Sequence, residues 1–444
     1  AETLFWAGPG IRRPLRMPMK DRAVSFEDPK GGLRMVLARR GDLATRPELL
    51  FVGGRVKKRL DNKFEVACVD AQAGRKLWVT RNIRLKGKGQ EPGFTEAFAR
   101  GPVVVVHGFY DVLALSLADG TVRWQYTAPF DFEIAHATAA GDLLVLSGAS
   151  HTIALYVPTE SRTGEVVWTA PEAGEPYAPP YAQGERLISV RHLPSGVTVR
   201  RIGTGRMIGR LELPELSRFA RHPLIKGGPE ALPVAKSGDR LFVTDGWYYI
   251  AVDTARMRVA WKRLIEANDP TREPPMRLTA GEGVLLALKQ DYRTPAMLAL
   301  DAATGRRLWR TDPGNDAIAK PMHSAVISGG RIYGLTPGTG RSFSVHALDA
   351  ATGKELAKWS ARETYQTKPA VELFDHTFGG DLVARVQDGQ TFELIALDGK
   401  TCRPLHTITC KGVGPWDVPG RVSATGQAGR LMLMDATRLV IGGK

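Results

Sequence analysis

The sequence predicts an all-β chain of eight four-stranded antiparallel blades, a β-propeller, and three observations carry that reading. The phrase ALDAATGRRLWRT at residues 299–311 recurs almost unchanged as ALDAATGKELAKW at 347–359. Worn copies follow along the chain at a spacing of about 43 to 50 residues, the length of one propeller blade. A Gly-led apolar run of strand type precedes the phrase in unit after unit, as in GDLLVLSG at 141–148 and GDRLFVTDG at 238–246.

The worn copies are CVDAQAGRKLWVT (68–80), LSLADGTVRWQYT (115–127), VPTESRTGEVVWTA (157–170), RRIGTGRMIGRLEL (200–213), IAVDTARMRVAWKR (250–263) and IALDGKTCRPLHTI (395–408). Each unit thus reads as turn, strand, turn, strand, an Asp-x-x-Thr-Gly turn, and a last strand that reaches a Trp. In that turn the Asp side chain accepts backbone N–H groups, and the Gly supplies a positive φ that other residues resist. Trp78, Trp124, Trp168, Trp261, Trp309 and Trp359 are the expected structural wedges between blades, with the ring packed and its N–H on a carbonyl. In the two most degenerate copies Leu211 and Leu405 are expected in the place of the Trp.

On these residues the chain resembles the PQQ-like repeat β-propellers, the superfamily of the quinoprotein alcohol dehydrogenases and the BamB-like propellers. The resemblance rests on the A-x-D-x-x-T-G-x-x-x-W phrase and covers residues 46–442. For the quinoprotein branch it implies PQQ held with calcium. The adjacent cysteine pair that those enzymes place over the cofactor is absent here, as is any covalent haem motif. No cofactor is therefore expected, with PQQ and calcium as the alternative.

The two ends of the chain complete the arithmetic. Residues 420–443 supply three strands without a Trp strand, and TLFWAGPG at 3–10 reads as the missing outer strand. Pairing of the N- and C-terminal strands, with Trp6 beside Val440, would close the ring and remove the exposed sheet edges. Residues 1–45 are accordingly read as a closing strand at about 3–8 plus a basic excursion over one face, and 46–443 as the propeller.

Composition bounds the rest. Over 444 residues, 43% hydrophobic and 24% charged residues describe an ordinary folded chain, and no apolar run is long enough to span a membrane. Three cysteines, Cys68, Cys402 and Cys410, make neither a disulfide framework nor a CxxC metal motif. The net charge of +15 is concentrated at the start, where residues 1–100 hold 22 Lys and Arg against 11 Asp and Glu. The segments RVKKRLDNK (55–63) and RNIRLKGKG (81–89) read as exposed loops that attract anionic groups. The chain begins at Ala1, which fits a processed exported protein or a trimmed chain, and with the family resemblance the periplasm or cell surface is expected.

Propellers bind ligands on the loops that lead into the innermost strands, which here follow each Trp strand. His136, His323 and His376 fall there in three different blades and are the candidates for a metal or acid–base site. Arg221, Arg277, Lys320 and Lys368 could ring the same mouth and hold an anion by charge-assisted hydrogen bonds, with Tyr177 and Trp416 as further ligand-binding candidates. The sequence reading is an exported, non-catalytic scaffold for a protein partner or an anionic polymer. The alternatives are a PQQ- and calcium-dependent oxidoreductase and a lyase or hydrolase of acidic polysaccharide. No nucleic-acid motif is present.

Overall fold

The computed structural model describes residues 103–129, 132–157, 164–172, 178–191, 195–214, 234–244, 247–265, 276–289, 296–311, 325–337, 342–361 and 391–411, residues 174 and 176, and the strands outside those ranges. All of its regular structure among these residues is β apart from single turns, and no helix is long and apolar enough to cross a membrane. The strands form nine four-stranded sheets and one two-stranded ribbon. Eight of the nine are contiguous in sequence and correspond to the eight phrases. The ninth is composite: strands Ser423–Gln427, Arg430–Met434 and Arg438–Gly442 are completed by Ala23–Ser25.

That composite sheet corrects two expectations. A fourth strand does come from the N-terminus, but Val440 pairs with Ala23, whereas Thr3–Trp6 pairs with Leu15–Pro18 in the ribbon. Among the described residues the four-stranded sheets number nine, against the eight blades read from the sequence. The first contiguous sheet also begins before residue 46, because Leu33–Met35 pairs with Val52–Gly54.

By its contacts the chain divides into two compact units: residues 1–6, 15–210 and 416–444, and residues 7–14 and 211–415. Within each, the burial of a strand follows from its pattern. The second and third strands are continuous apolar runs buried on both faces, as in Val103–His107, Leu143–Ser147 and Asp111–Ser116. Outer strands alternate, as in Val122–Thr127, where Trp124 is buried and Val122 and Arg123 are exposed. The third and outer strands carry a bulge at one recurrent point, next to Ala114, Ala154, Ala251, Ala299, Ala347 and Ala396.

Four of the expected Trp residues, Trp78, Trp168, Trp261 and Trp309, share one geometry in the structure. Trp168 donates its indole N–H to the carbonyl of Ile202 at 2.7 Å, and Trp309 donates to that of Ala350 at 2.9 Å. Trp78 and Trp261 do the same to Leu117 and Ala302, at 2.9 and 3.1 Å. Each acceptor follows the first residue of the next blade's turn. Each ring lies over that turn's Gly: a Cβ on Gly205 would stand 2.5 Å from Trp168, and one on Gly353 2.6 Å from Trp309. The Gly thus serves twice, once for its φ of +66° or +71° and once for the space it leaves.

The register corrects three wedge assignments. Trp309 faces Ala299, but in the next sheet Ala357 faces Ala347, and Trp359 lies two residues on, opposite Val345. There Trp359 meets Phe343 edge-on, with centroids 5.6 Å apart. In the last contiguous sheet His406 holds the wedge position opposite Ala396, and Leu405 is exposed. Counted from Gly205, the wedge position of the fourth sheet is Gly209 and not Leu211.

Candidate functional site

The loops that the sequence marks for binding lie at the end of each sheet where the first strand starts and the second strand finishes. In the first unit that end is lined by polar residues closing otherwise apolar second strands: His107, Ser147 and Arg191. All three are buried. Their neighbours on the first and third strands are His136, paired with Ser147, and Thr152, likewise paired with Ser147.

Arg191 is the centre of this group. Its Nη1 donates to the carbonyls of Gly148 and Gly174, each at 2.9 Å. Its Nη2 donates to Thr152 Oγ1 at 2.8 Å and Ser147 Oγ at 3.1 Å. Its Nε faces Glu172 Oε2 at 3.3 Å, an ion pair without hydrogen-bond alignment. The Glu172 Oε1 accepts from Arg200 Nε at 2.9 Å and from Thr152 Oγ1 at 3.2 Å. Arg200 in turn donates to the carbonyls of Gly205 and Pro171. Two guanidiniums therefore share one carboxylate, and the three side chains are no more than 9% exposed. Burial lowers the Arg191 pKa, Glu172 opposes that shift and Arg200 adds to it. The cluster bridges the sheets at 136–171 and 181–212, and its donors are spent on fixing two loops and two strands.

His107 is sealed in the same region. Its Nδ1 lies 3.2 Å from the Gly108 carbonyl, and burial brings its pKa down to about 4, with the nearby His136 pushing in the same direction. The imidazole is neutral at pH 7 and inaccessible to solvent. Asp111, also buried, accepts from Thr127 Oγ1 at 2.6 Å and Gln125 Nε2 at 3.2 Å.

Of the residues read from the sequence as functional, His136 is half-buried on its first strand and Arg277 is exposed on its own first strand, opposite Leu288. His323, His376, Arg221, Lys320, Lys368, Tyr177 and Trp416 lie outside the described residues. Among the described residues no group of three or more His, Cys, Asp or Glu converges in a way that could hold a metal ion. The residues that the sequence reading passed over are His107, Glu172, Arg191 and Arg200. For His107, Arg191 and Arg200 the signal was a charged or titratable residue ending or interrupting an apolar strand, as in ERLISVR at 185–191, whereas Glu172 follows its strand and carries no such signal.

Comparison with known proteins bears on the fold that carries these residues. The family described as outer membrane protein assembly factor BamB matches residues 62–267, 197–358 and 295–441, which together take in most of the chain. No curated protein matches the sequence. Among solved structures, the computationally designed Ika8 protein gives a TM-score of 0.51 at 12% identity over 80% of this chain and 97% of that one. BamB from Moraxella catarrhalis gives 0.48 at 15% identity over 79% and 94%. The quinohemoprotein alcohol dehydrogenase ADHIIG from Pseudomonas putida HK5 gives 0.44 at 11% identity over 78% and 74%. From the span of the family match and the repeated blades that underlie it, the chain belongs to the BamB family of PQQ-like repeat β-propellers.

Proposed function

We propose that this chain is an exported, non-catalytic scaffold whose exposed surface takes a protein or polymeric partner. The observation that carries the reading is the use of polar groups at the binding ends of the first-unit sheets. Arg191 is committed to Gly148, Gly174, Ser147, Thr152 and Glu172, and Asp111 to Thr127 and Gln125. His107 is buried and neutral. Groups held in this way set the shape of a surface; they are not poised to move protons on a substrate. Exposed apolar residues instead sit on outer strands, at Val122, Val166, Val167 and Ile208 in the first unit and at Leu356 and Leu405 in the second.

The quinoprotein alternative calls for carboxylate or amide ligands to calcium and cations for a tricarboxylate. Among the described residues no such metal-binding group is assembled, and Arg277 is the described member of the four expected cations.

A titration with PQQ, with and without calcium, followed by visible absorbance and Trp fluorescence, tests the reading. No saturable change is expected. Saturable, calcium-dependent binding would replace the scaffold with an oxidoreductase. A photo-crosslinking side chain at Val167 or Leu356, activated in the source cells, is expected to trap a discrete protein or polymer adduct.

A further inference from the structure

We propose that the outer edge of the sheet at residues 234–264 docks an extended acidic segment of a partner protein, anchored by apolar side chains on Trp247 and Leu264. The inference rests on the scaffold reading and names one surface and one partner chemistry for it.

The argument begins with a departure from the repeat. Trp247 belongs to no wedge phrase; it sits in the hairpin between the strands Arg240–Thr244 and Tyr248–Asp253. It is 43% exposed, and Leu264, at the end of the outer strand Arg258–Leu264, is 56% exposed. Two contacts hold them together. The Trp247 carbonyl accepts the N–H of Ile265 at 2.7 Å, and Tyr248 is the cross-strand partner of Leu264. Cross-strand partners point to the same face. On that face the Lys262 ammonium lies 4.1 Å from the centroid of the Tyr248 ring. The phenol, the ammonium and the leucine thus share one face at this corner of the sheet, and Trp247 is exposed in the adjoining hairpin.

Two further properties select the occupant. The strand Arg258–Leu264 is the last in its sheet, so its outward backbone groups can accept an added strand. Its charged residues, Arg258, Lys262 and Arg263, are all basic. Arg263 donates to the Gly305 carbonyl at 3.0 Å, while Arg258 and Lys262 are exposed. The outer strand that follows, Arg307–Arg310, adds two more arginines and no acidic residue. An extended segment that alternates carboxylates with apolar side chains matches both the charge and the apolar side chains at this corner. The outer strand at 166–171 has exposed valines but neither an aromatic anchor nor a basic run.

The test uses the full chain and three probes: a synthetic peptide alternating Glu with Leu and Phe, the same peptide with Lys for Glu, and phosphatidylglycerol vesicles. Binding is followed by calorimetry, and by hydrogen exchange of residues 258–264. The acidic peptide is expected to bind saturably, to slow exchange in that strand, and to weaken as salt rises. Trp247→Ala and Leu264→Thr should each weaken it by about tenfold or more, as loss of an anchor does. Leu77→Thr, an exposed leucine in another sheet, should leave it unchanged. Unaltered thermal melts of the variants would exclude unfolding as the cause. Failure of the acidic peptide to bind, or binding indifferent to Trp247→Ala and Leu264→Thr, overturns the proposal. Vesicle binding lost in those variants without peptide binding also overturns it and assigns this corner to a lipid surface. None of these outcomes bears on the PQQ titration, so the scaffold reading stands or falls separately.

Discussion

Two neighbouring junctions of the second unit solve one problem in different ways. Between the sheets at 276–310 and 325–360, Trp309 lies over Gly353 and donates to the Ala350 carbonyl. Between the sheets at 325–360 and 370–411, Ala357 holds the wedge position and Cys402 holds the position of the Gly, with a φ of +56°. There the equivalent carbonyl, that of Gly399, accepts from the Tyr333 hydroxyl at 2.8 Å and from Arg331 Nη1 at 3.1 Å. Cys402 is fully buried in the same apolar cluster as Ala357 and Trp359, and burial pushes its thiol up to about 11. Both junctions fill the space under the wedge and satisfy the same carbonyl. The repeat is therefore a pair of coupled choices: a large wedge with a bare turn, or a small wedge with a side chain in the turn.

Removing a wedge where nothing replaces it should have the largest effect. Trp168 is 8% exposed, and its indole N–H is fully used. Trp168→Ala is expected to cost about 3–5 kcal/mol, the range for a truncated core aromatic. Trp359→Ala, at the side-chain-filled junction, should cost less, since Trp359 is only half-buried and the carbonyl there has other donors. Urea midpoints of the two variants measured side by side decide it, and equal losses would end the distinction between the junction types.

The junction that holds Trp168 also carries the ionic cluster, which separates wedge from clamp. Glu172→Gln leaves Arg191 and Arg200 buried without a counter-charge. Breaking a buried pair in this way is expected to cost about 3 kcal/mol, most of it desolvation that is no longer offset. A loss below that of a surface substitution, about 0.5 kcal/mol, would show that the cluster is solvated and leave the wedge alone in holding the two sheets.

The contrast between junctions also marks how much the sequence discloses. The Asp-Thr-Gly turn and the Trp are legible because backbone geometry demands the same residues at every copy: Asp301 and Asp349 each accept two N–H groups and a Thr hydroxyl. Trp359 was misplaced by two residues because alternation preserves its face, so a shift of two looks the same in the pattern. The partner strand of Val440 was misjudged because several short segments near the N-terminus carry similar strand character, and only the fold selects Ala23–Ser25. Where the second strands finish, the residues differ from sheet to sheet, His107, Ser147, Arg191, Thr244, Thr336, so no repeat announces them. Arg191 is instead visible as a charge where its strand should be apolar, and its role depends on Glu172, which lies in a loop that no periodicity reaches.

One junction should be convertible into the other. Gly353→Cys alone places a side chain against the Trp309 ring at a positive φ, and Trp309→Ala alone leaves a void; each is expected to destabilise. Together they reproduce the Ala357–Cys402 pairing. The double variant should be more stable than the sum of the single losses by about 1–2 kcal/mol, within the range for residues in contact. Strict additivity in a urea-melt cycle would mean that Cys402 and Ala357 are unrelated features.

The smallest expected effect belongs to the turn that both junctions share. Hydrogen bonds from the Thr hydroxyl and the turn N–H groups hold Asp349 below the ordinary carboxylate range, and those from Thr401 and Lys400 do the same for Asp398. A depressed carboxylate pKa means that the unfolded chain binds the proton first. The turn's contribution is therefore present in full above the ordinary carboxylate range and is lost as pH falls through the lower, folded values. Asp349→Ala and Asp398→Ala should each flatten the acid limb of the stability profile while leaving its neutral part slightly lowered. Urea midpoints taken at intervals from neutral pH into strong acid measure this. Because Asp349 serves a wedge junction and Asp398 a side-chain-filled one, equal flattening would show that the turn is independent of what packs beneath it. Unequal flattening would show that Tyr333 and Arg331, both on the Gly399 carbonyl, have taken over part of the work of Asp398.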